Sequence, residues 1–338
     1  MYYLIGICVS LAAFFAANAV GSLAALAAWR VVRPLARRLP PAARADLIFA
    51  LRTAPAVLAL TCVATLLLPT YFTYEPTHSD EGVGLKLALL ALVPAAGFAL
   101  AAWRAAASVA ATRRVRRGLM RRATPLALPG VTVPAYGVEH ALPLVAVVGA
   151  LRPRLFVASH LFDVLGADEI SAAVAHELGH VSARDNLKRT LMHACRDVLP
   201  LAPFARLLER EWSAQSESAA DEFAARAGGA PAAISLASTI VKIARLMPAT
   251  GVRETSAAIA MLVDGEAGVA ERVDRLLAFA DAANDADEVA APPRAAVLRH
   301  AATASYLLIF LSTLLLATQH GVTRALYAAL EHVVSALS

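Results

Sequence analysis

The chain has 338 residues, of which 59% are hydrophobic and 17% charged, and its mean hydropathy is +0.60. That balance excludes a wholly soluble globular protein, because the excess is alanine and leucine gathered into long uncharged runs. The net charge of +5 does not mark a nucleic-acid binder, since the arginines cluster beside the apolar runs and no aromatic-interleaved basic surface accompanies them.

The first apolar run, Met1 to Trp29, carries no charge. It lacks a basic leader, so it reads as a retained membrane helix over about 4–28, not a cleaved signal peptide. A basic loop follows with Arg30, Arg33, Arg37, Arg38, Arg44 and Arg52. The second run covers 53–74, and the loop after it, "EPTHSDEGVG", has neither Lys nor Arg. The third covers about 85–104, with Lys86 and Arg104 placed to reach the headgroups. Then comes "RRVRRGLMRR", residues 113–122, with six arginines. A fourth apolar run covers 301–323, and 324–338 is a short tail. The positive-inside rule puts the first loop and the region after Arg113 in the cytoplasm. The N-terminus, the 75–84 loop and the C-terminus then lie outside a bacterial inner membrane.

Residues 113–283 form a cytoplasmic module, with 284–300 as linker. "PGVTVPAYGV" and "LPLVAVVGALRPRLFVAS" read as strands, the second folding at "GALRP" as a hairpin. From about Asp168, a plausible N-cap, one long helix carries "AAVAHELGHVSARDN" and continues through "LKRTLMHACRDVL". A second helical stretch over 211–227 stops at "GGAP", and further helices run to 283. The expected fold is therefore a mainly α membrane protein: four transmembrane helices and a small α+β module. Cys8, Cys62 and Cys195 are too scattered for a disulfide framework or a Cys-based metal site.

On a helix, His176 and His180 stand one turn apart and converge on one point, which suits two nitrogen ligands of a tetrahedral zinc ion. Glu177 projects beside them, where a carboxylate can take a proton from a metal-activated water. A third ligand is available in "EREWSAQSESAADEFAARA", where Glu217 and Asp221 share a helix face. Glu217 is assigned to the metal and Asp221 to the free ring nitrogen of a histidine, with Glu211 and Glu222 as rivals. Asp185 either braces the site or pairs with Arg184 or Lys188. His193 reads as core, and His78 and His320 as interfacial. The alternative is a helix surface with two satisfied histidines and an exposed acidic helix.

"AHELGHVSARDN" followed by "ESAADEFA" resembles the integral-membrane zinc peptidases typified by the beta-lactam-sensing antirepressor proteins. The resemblance implies a gluzincin-type zinc protease with three spans before the catalytic module and one after. Its site would be cytoplasmic: Glu177 catalytic; His176, His180 and Glu217 on zinc; Asp221 and Asp185 supporting. It also implies regulatory cleavage of a protein, a repressor or a membrane protein, with a separate sensor as possible partner. The best-known members continue into a penicillin-binding sensor. This sequence stops fifteen residues after the last apolar run, so beta-lactam sensing is not expected. The segment is also similar to the CaaX-prenyl and heat-shock membrane proteases, which would imply quality control. A zinc-stabilised signalling scaffold without catalysis is the non-enzyme alternative. Substrate backbone is expected to add to a sheet edge near 144–158.

Overall fold

The computed structural model describes residues 2–76, 84–198, 204–246, 268–285, 307–308 and 310–337. Most of these are helical, with one small mixed sheet. Three long apolar helices come first: α1 (Tyr2–Ala36), α2 (Pro41–Tyr74) and α3 (Leu85–Met120). The uncharged stretch of each is hydrophobic all round. Ile7, Val20 and Leu23 on α1, Leu60 and Phe72 on α2, and Leu89, Leu92 and Phe98 on α3 are all exposed. Such surfaces suit lipid and not water. Inside α2, a π-helical turn over Val63–Leu67 precedes Pro69. The proline has no N–H to donate and crowds the carbonyl one turn back, so the helix widens there.

The helices run past the bounds expected from the apolar runs. The basic stretch 30–52 is mostly helix: α1 ends at Ala36, and Pro41 opens α2 as a proline-first helix. The six-arginine segment 113–122 falls largely within the last turns of α3. With 36 residues at about 1.5 Å each, α3 outreaches a hydrocarbon core of about 30 Å, and its second half projects as a rod. Counting uncharged residues misses this, because charges end an apolar run without ending a helix.

The module follows. Strands β1 (Ala123–Pro125), β2 (Ala135–Val138), β3 (Val145–Val148) and β4 (Arg154–Ala158) form a sheet in the order β1-β2-β4-β3. β2 runs parallel to β4, and β3 folds back antiparallel on β4 with Val145 opposite Val157 and Val147 opposite Leu155. "GALRP" is the hairpin turn, and β3 lies at the sheet edge. β1 carries no strand signal and forms because β2 offers it an edge. Leu155, Phe156, Val157 and Ala158 are fully buried, packed with Ile170, Ala173 and Val174 of the next long helix.

After a short turn, α4 (Leu161–Val164), come α5 (Ala167–Ala183) and α6 (Asp185–Val198). Two sequence expectations change here. Gly166, not Asp168, is the N-cap of α5, and its N–H donates to Glu169 Oε2 at 2.8 Å. And the single long helix is two, because Arg184 adopts a left-handed conformation (φ 56°, ψ 38°), costly for a residue with a Cβ, that re-aims the chain. Helix α7 (Phe204–Leu246) kinks at Gly229 (φ 66°, ψ −152°), a region open essentially to glycine alone. This is where "GGAP" was expected to stop the helix. Helices α8 (Val269–Asp285) and α9 (His320–Leu337) follow, with a further helical stretch at 310–317 before α9.

Among the described residues, four helices are long and apolar enough to cross a membrane, and the fourth of these is Arg206–Leu246 within α7. This helix α7 is kinked and packs along α5 and α8, while Leu207, Phe223, Ile234 and Leu246 stay exposed. The 301–323 run lies partly outside the described residues; 310–317 is helical, with Phe310, Leu311, Leu314 and Leu315 exposed. The 284–300 linker is almost wholly outside them. The 324–338 tail belongs instead to α9, which sets Leu330 and Val334 against Ile5, Val9 and Tyr71. Tyr327 also donates to Glu75 at 2.9 Å.

The helices meet the module through a core of Trp29, Ala36, Ile48, Met192, Leu208 and Trp212. Arg33 pairs with Glu211 at 2.8 Å, Arg52 lies 3.7 Å from Glu209, and Lys188 pairs with Asp46. α5 and α7 cross where Gly179 faces Ala220; a Cβ at 179 would lie 3.1 Å from the Ala220 Cα and 3.3 Å from the Phe223 Cβ. Gly179→Val is expected to cost about 1–3 kcal/mol by overpacking this crossing and to reduce bound metal. Thermal unfolding and metal analysis of the purified variant check it, and a wild-type melting temperature with full metal content would contradict the packing argument.

Candidate metal centre

His176 and His180 lie on α5, one turn apart, with ring centroids 4.9 Å apart. Helix α7 crosses them at Gly179 and brings Glu217 between the two rings. Glu217 Oε2 lies 3.5 Å from His176 Nε2, and Oε1 lies 3.5 Å from His180 Nε2. One ligand atom from each of these three residues falls within 4.8 Å of the others. Two imidazoles and one carboxylate at that spacing could hold a divalent ion and leave a fourth position open.

The opposite ring nitrogens have carboxylates too. His180 Nδ1 is 2.7 Å from Asp185 Oδ2, and His176 Nδ1 is 3.0 Å from Asp221 Oδ1. The His180 contact has hydrogen-bond geometry, whereas the His176 contact is an electrostatic one; both carboxylates favour the tautomer with the proton on Nδ1, which turns the Nε2 lone pair to the shared point. Asp185 reaches His180 because the left-handed Arg184 breaks the helix just before it. Ser216 Oγ donates to the same Asp185 oxygen at 2.6 Å, tying α6 to α7. Asp221 is gripped by Arg272 of α8, Nε to Oδ2 at 3.0 Å and a terminal nitrogen to Oδ1 at 2.7 Å. Arg272 also lies 3.4 Å from Glu217 Oε2.

The structure thus brings together His176, Glu177, His180, Glu217, Asp221 and Asp185. The rivals are elsewhere: Glu211 pairs with Arg33, and Glu222 with Arg226. Asp185 pairs with neither Arg184 nor Lys188, the latter being bound to Asp46. His193 is exposed and lines the cleft in front of the histidines, not the core. His320 begins α9, and His78 lies outside the described residues. Sequence reasoning missed Ser216, Asn186 and Arg272. Asn186 follows Asp185 directly and was within reach of a local reading. Arg272 is more than fifty positions beyond Glu217 and looks like any arginine of an amphipathic helix.

Glu177 is buried, and Oε2 accepts the Val147 N–H at 3.0 Å, so the edge strand β3 orients it. Burial pushes the Glu177 carboxyl above its usual range, although both histidines and the Val147 N–H oppose this. For His176, burial alone would lower the pKa, but Asp221 and Glu217 outweigh it and raise it well above the ordinary histidine value. Burial likewise opposes the charge on Glu217 and Asp221. His176 and Arg272 prevail and hold both well below the usual carboxylate range.

The cleft over these residues has a volume of about 530 Å³ and runs between β3, α6 and the projecting half of α3. Behind Glu177, a narrow apolar pocket of about 20 Å³ is bounded by Ala173, Leu236, Ile240 and Arg272.

Residues 110–208 match the model of peptidase family M48. That span holds the sheet, both histidines and Glu177, and it ends before Glu217. It supports a membrane-associated metallopeptidase. No curated protein and no solved structure matches the chain.

Asp221→Asn and Asp185→Asn are each expected to weaken metal binding by about 10–100-fold, measured by competition with a chromophoric chelator; unchanged affinity would remove their orienting role. Metal binding should also depend on pH. With its pKa raised, His176 carries a proton at neutral pH and must lose it to become a ligand. Affinity should therefore rise with pH through the neutral range, with proton release on binding. Calorimetry in buffers of different ionisation heat reads that release.

Proposed function

We propose that the protein is a zinc-dependent endopeptidase of the membrane, with His176, His180 and Glu217 as zinc ligands and Glu177 as general base and acid. The observation that carries this reading is the three-ligand arrangement with a buried glutamate beside it, opening on a cleft. A structural zinc site is closed by a fourth protein ligand and gives Glu177 no task, which disfavours the scaffold reading.

Zinc would supply Lewis acidity and bring the pKa of a coordinated water to about 7. The chain does the rest. Val147 N–H holds Glu177 Oε2, leaving Oε1 to take the proton from the attacking water and return it to the departing amine. The burial that raises the Glu177 carboxyl's proton affinity suits it to both roles. Asp185 and Asp221 keep each imidazole on one tautomer. Peptide backbone would pair with the outer edge of β3. There the Val147 N–H is taken by Glu177, and the Val147 and Gly149 carbonyls accept from Asn186 at 3.3 and 3.4 Å, so an incoming strand competes with those contacts.

The proposed setting is a bacterial inner membrane with the cleft on the cytoplasmic side, supported by the arginines between α1 and α2 and at the end of α3. We propose regulatory cleavage of a cytoplasmic repressor or membrane protein, as the antirepressor resemblance implies, with a separate sensor delivering the signal. The match to peptidase family M48 supports the metallopeptidase chemistry shared by both membrane-protease resemblances, so quality-control proteolysis is the second reading. Glu177→Gln should retain zinc and lose cleavage by about 10²–10⁴-fold. Chelation should abolish wild-type activity and zinc should restore it. Cleavage that survives in zinc-free protein would refute the assignment. Broad digestion of unfolded casein favours quality control, and a single trapped substrate favours regulation.

A further inference from the structure

We infer that the substrate is a polypeptide anchored in the same membrane, cut in an extended segment about 3–8 residues from the end of its own membrane helix. This rests on the proteolytic reading above and chooses, between a soluble repressor and a membrane protein, the second.

Three helices fix the depth of the metal site. α1 and α3 run side by side, with Ile5 and Leu87 in one buried cluster and Phe14 and Ala101 in the next. On the module's side the apolar runs end at Arg52 of α2 and Arg104 of α3, which marks the edge of the hydrocarbon. Helix α6 reaches that edge. Met192 shares a core with Trp29 and Ile48, and its carbonyl accepts from Arg52 at 3.5 Å. Asp185, which touches His180, lies seven residues back along α6. At about 1.5 Å per residue, the metal site then stands on the order of 10 Å from the level of Met192.

The cleft spans that distance. Its lining on α3 is one helical face that starts at Ala101, inside the membrane bundle, and continues through Ala105, Ser108 and Thr112. These small side chains leave a channel from the membrane edge to Glu177, with β3 on the far side. Its volume of about 530 Å³ takes a short extended segment and not a folded domain. Trp103, Val109 and Leu191 are exposed on the same stretches of α3 and α6, a surface suited to lipid or a neighbouring helix. A chain leaving a membrane helix here enters the cleft directly. At about 3.3 Å per residue it needs about three to five residues to reach the metal. Anchoring also confines the search to the membrane plane, which raises the effective concentration of the segment.

The test places the zinc-loaded full chain in nanodiscs with a designed single-span substrate, a Leu–Ala helix followed by an unfolded casein tail. Mass spectrometry maps the cut bonds. Cuts should fall about 3–8 residues past the helix. Tails that begin at successive points of the casein sequence should be cut at different casein bonds, always at that distance. The same tail without the helix should be cut at least about tenfold more slowly. Ser108→Trp, at an exposed position on the channel wall, should keep its zinc and lose most of the anchored cleavage; if that variant does not fold, the series of tails decides. Cuts that follow the same casein bonds whatever their distance from the helix would overturn the inference while leaving proteolysis intact. So would equal rates for the free and the anchored tail, which would assign a soluble substrate. If the wild type cuts neither tail, the proteolytic reading fails and this inference falls with it.

Discussion

Helices α5 and α7 can share a metal site because a hydrogen atom is all that Gly179 places between them. Ala220 sits against it, and Ala172, Ala224 and Ala225 fill the neighbouring space, all buried. Axes this close put the start of the Glu217 side chain within one carboxylate's reach of both imidazoles. A wider crossing would leave Glu217 and Asp221 too short to meet the rings. The "LG" inside "HELGH" is therefore as much a part of the site as the histidines that flank it.

That closeness creates an electrostatic problem. His176, Glu177, Asp185, Glu217, Asp221 and Arg272 are all buried, and each buried ion costs several kcal/mol unless it is matched. The match is a chain of carboxylates alternating with nitrogen groups: Asp185 with His180, Glu217 between the histidines, Asp221 with His176 and Arg272. A bound dication would replace protons in that chain without changing its logic. Because Asp185 and Ser216 link α6 to α7, and Arg272 brings in α8, the site depends on four helices at once. The membrane helices enter the same structure through Trp29 against the Trp212 core and through Arg33 with Glu211. Arginines whose first meaning is topology thus also anchor the module.

How much of this could be read from the chain follows from how local each feature is. Ligand pairs one helical turn apart, the hairpin turn and the Gly-Gly break are set by a few neighbouring residues, and the sequence shows them. The turn at Arg184 is not legible, because arginine has no preference for left-handed backbone; tertiary contacts impose it, and they deliver Asp185 to His180. The ends of α1, α2 and α3 are obscured because charges that find partners, such as Arg52 beside Glu209, do not end a helix. The role of Arg272 has no local signature. The exposure of His193 depends on how α3 and α6 pack around the cleft, which no spacing rule conveys.

The proposed chemistry depends on the donor set offered by His176, His180 and Glu217. X-ray absorption at the zinc edge of the loaded full-length protein tests it most directly. Two imidazole nitrogens at about 2.0–2.1 Å and oxygen donors at about 2.0–2.2 Å, without sulfur, are predicted. In Glu217→Ala the two imidazoles should remain while the zinc dissociates more readily. A sulfur shell near about 2.3 Å, or a wild-type spectrum and affinity in Glu217→Ala, would contradict it.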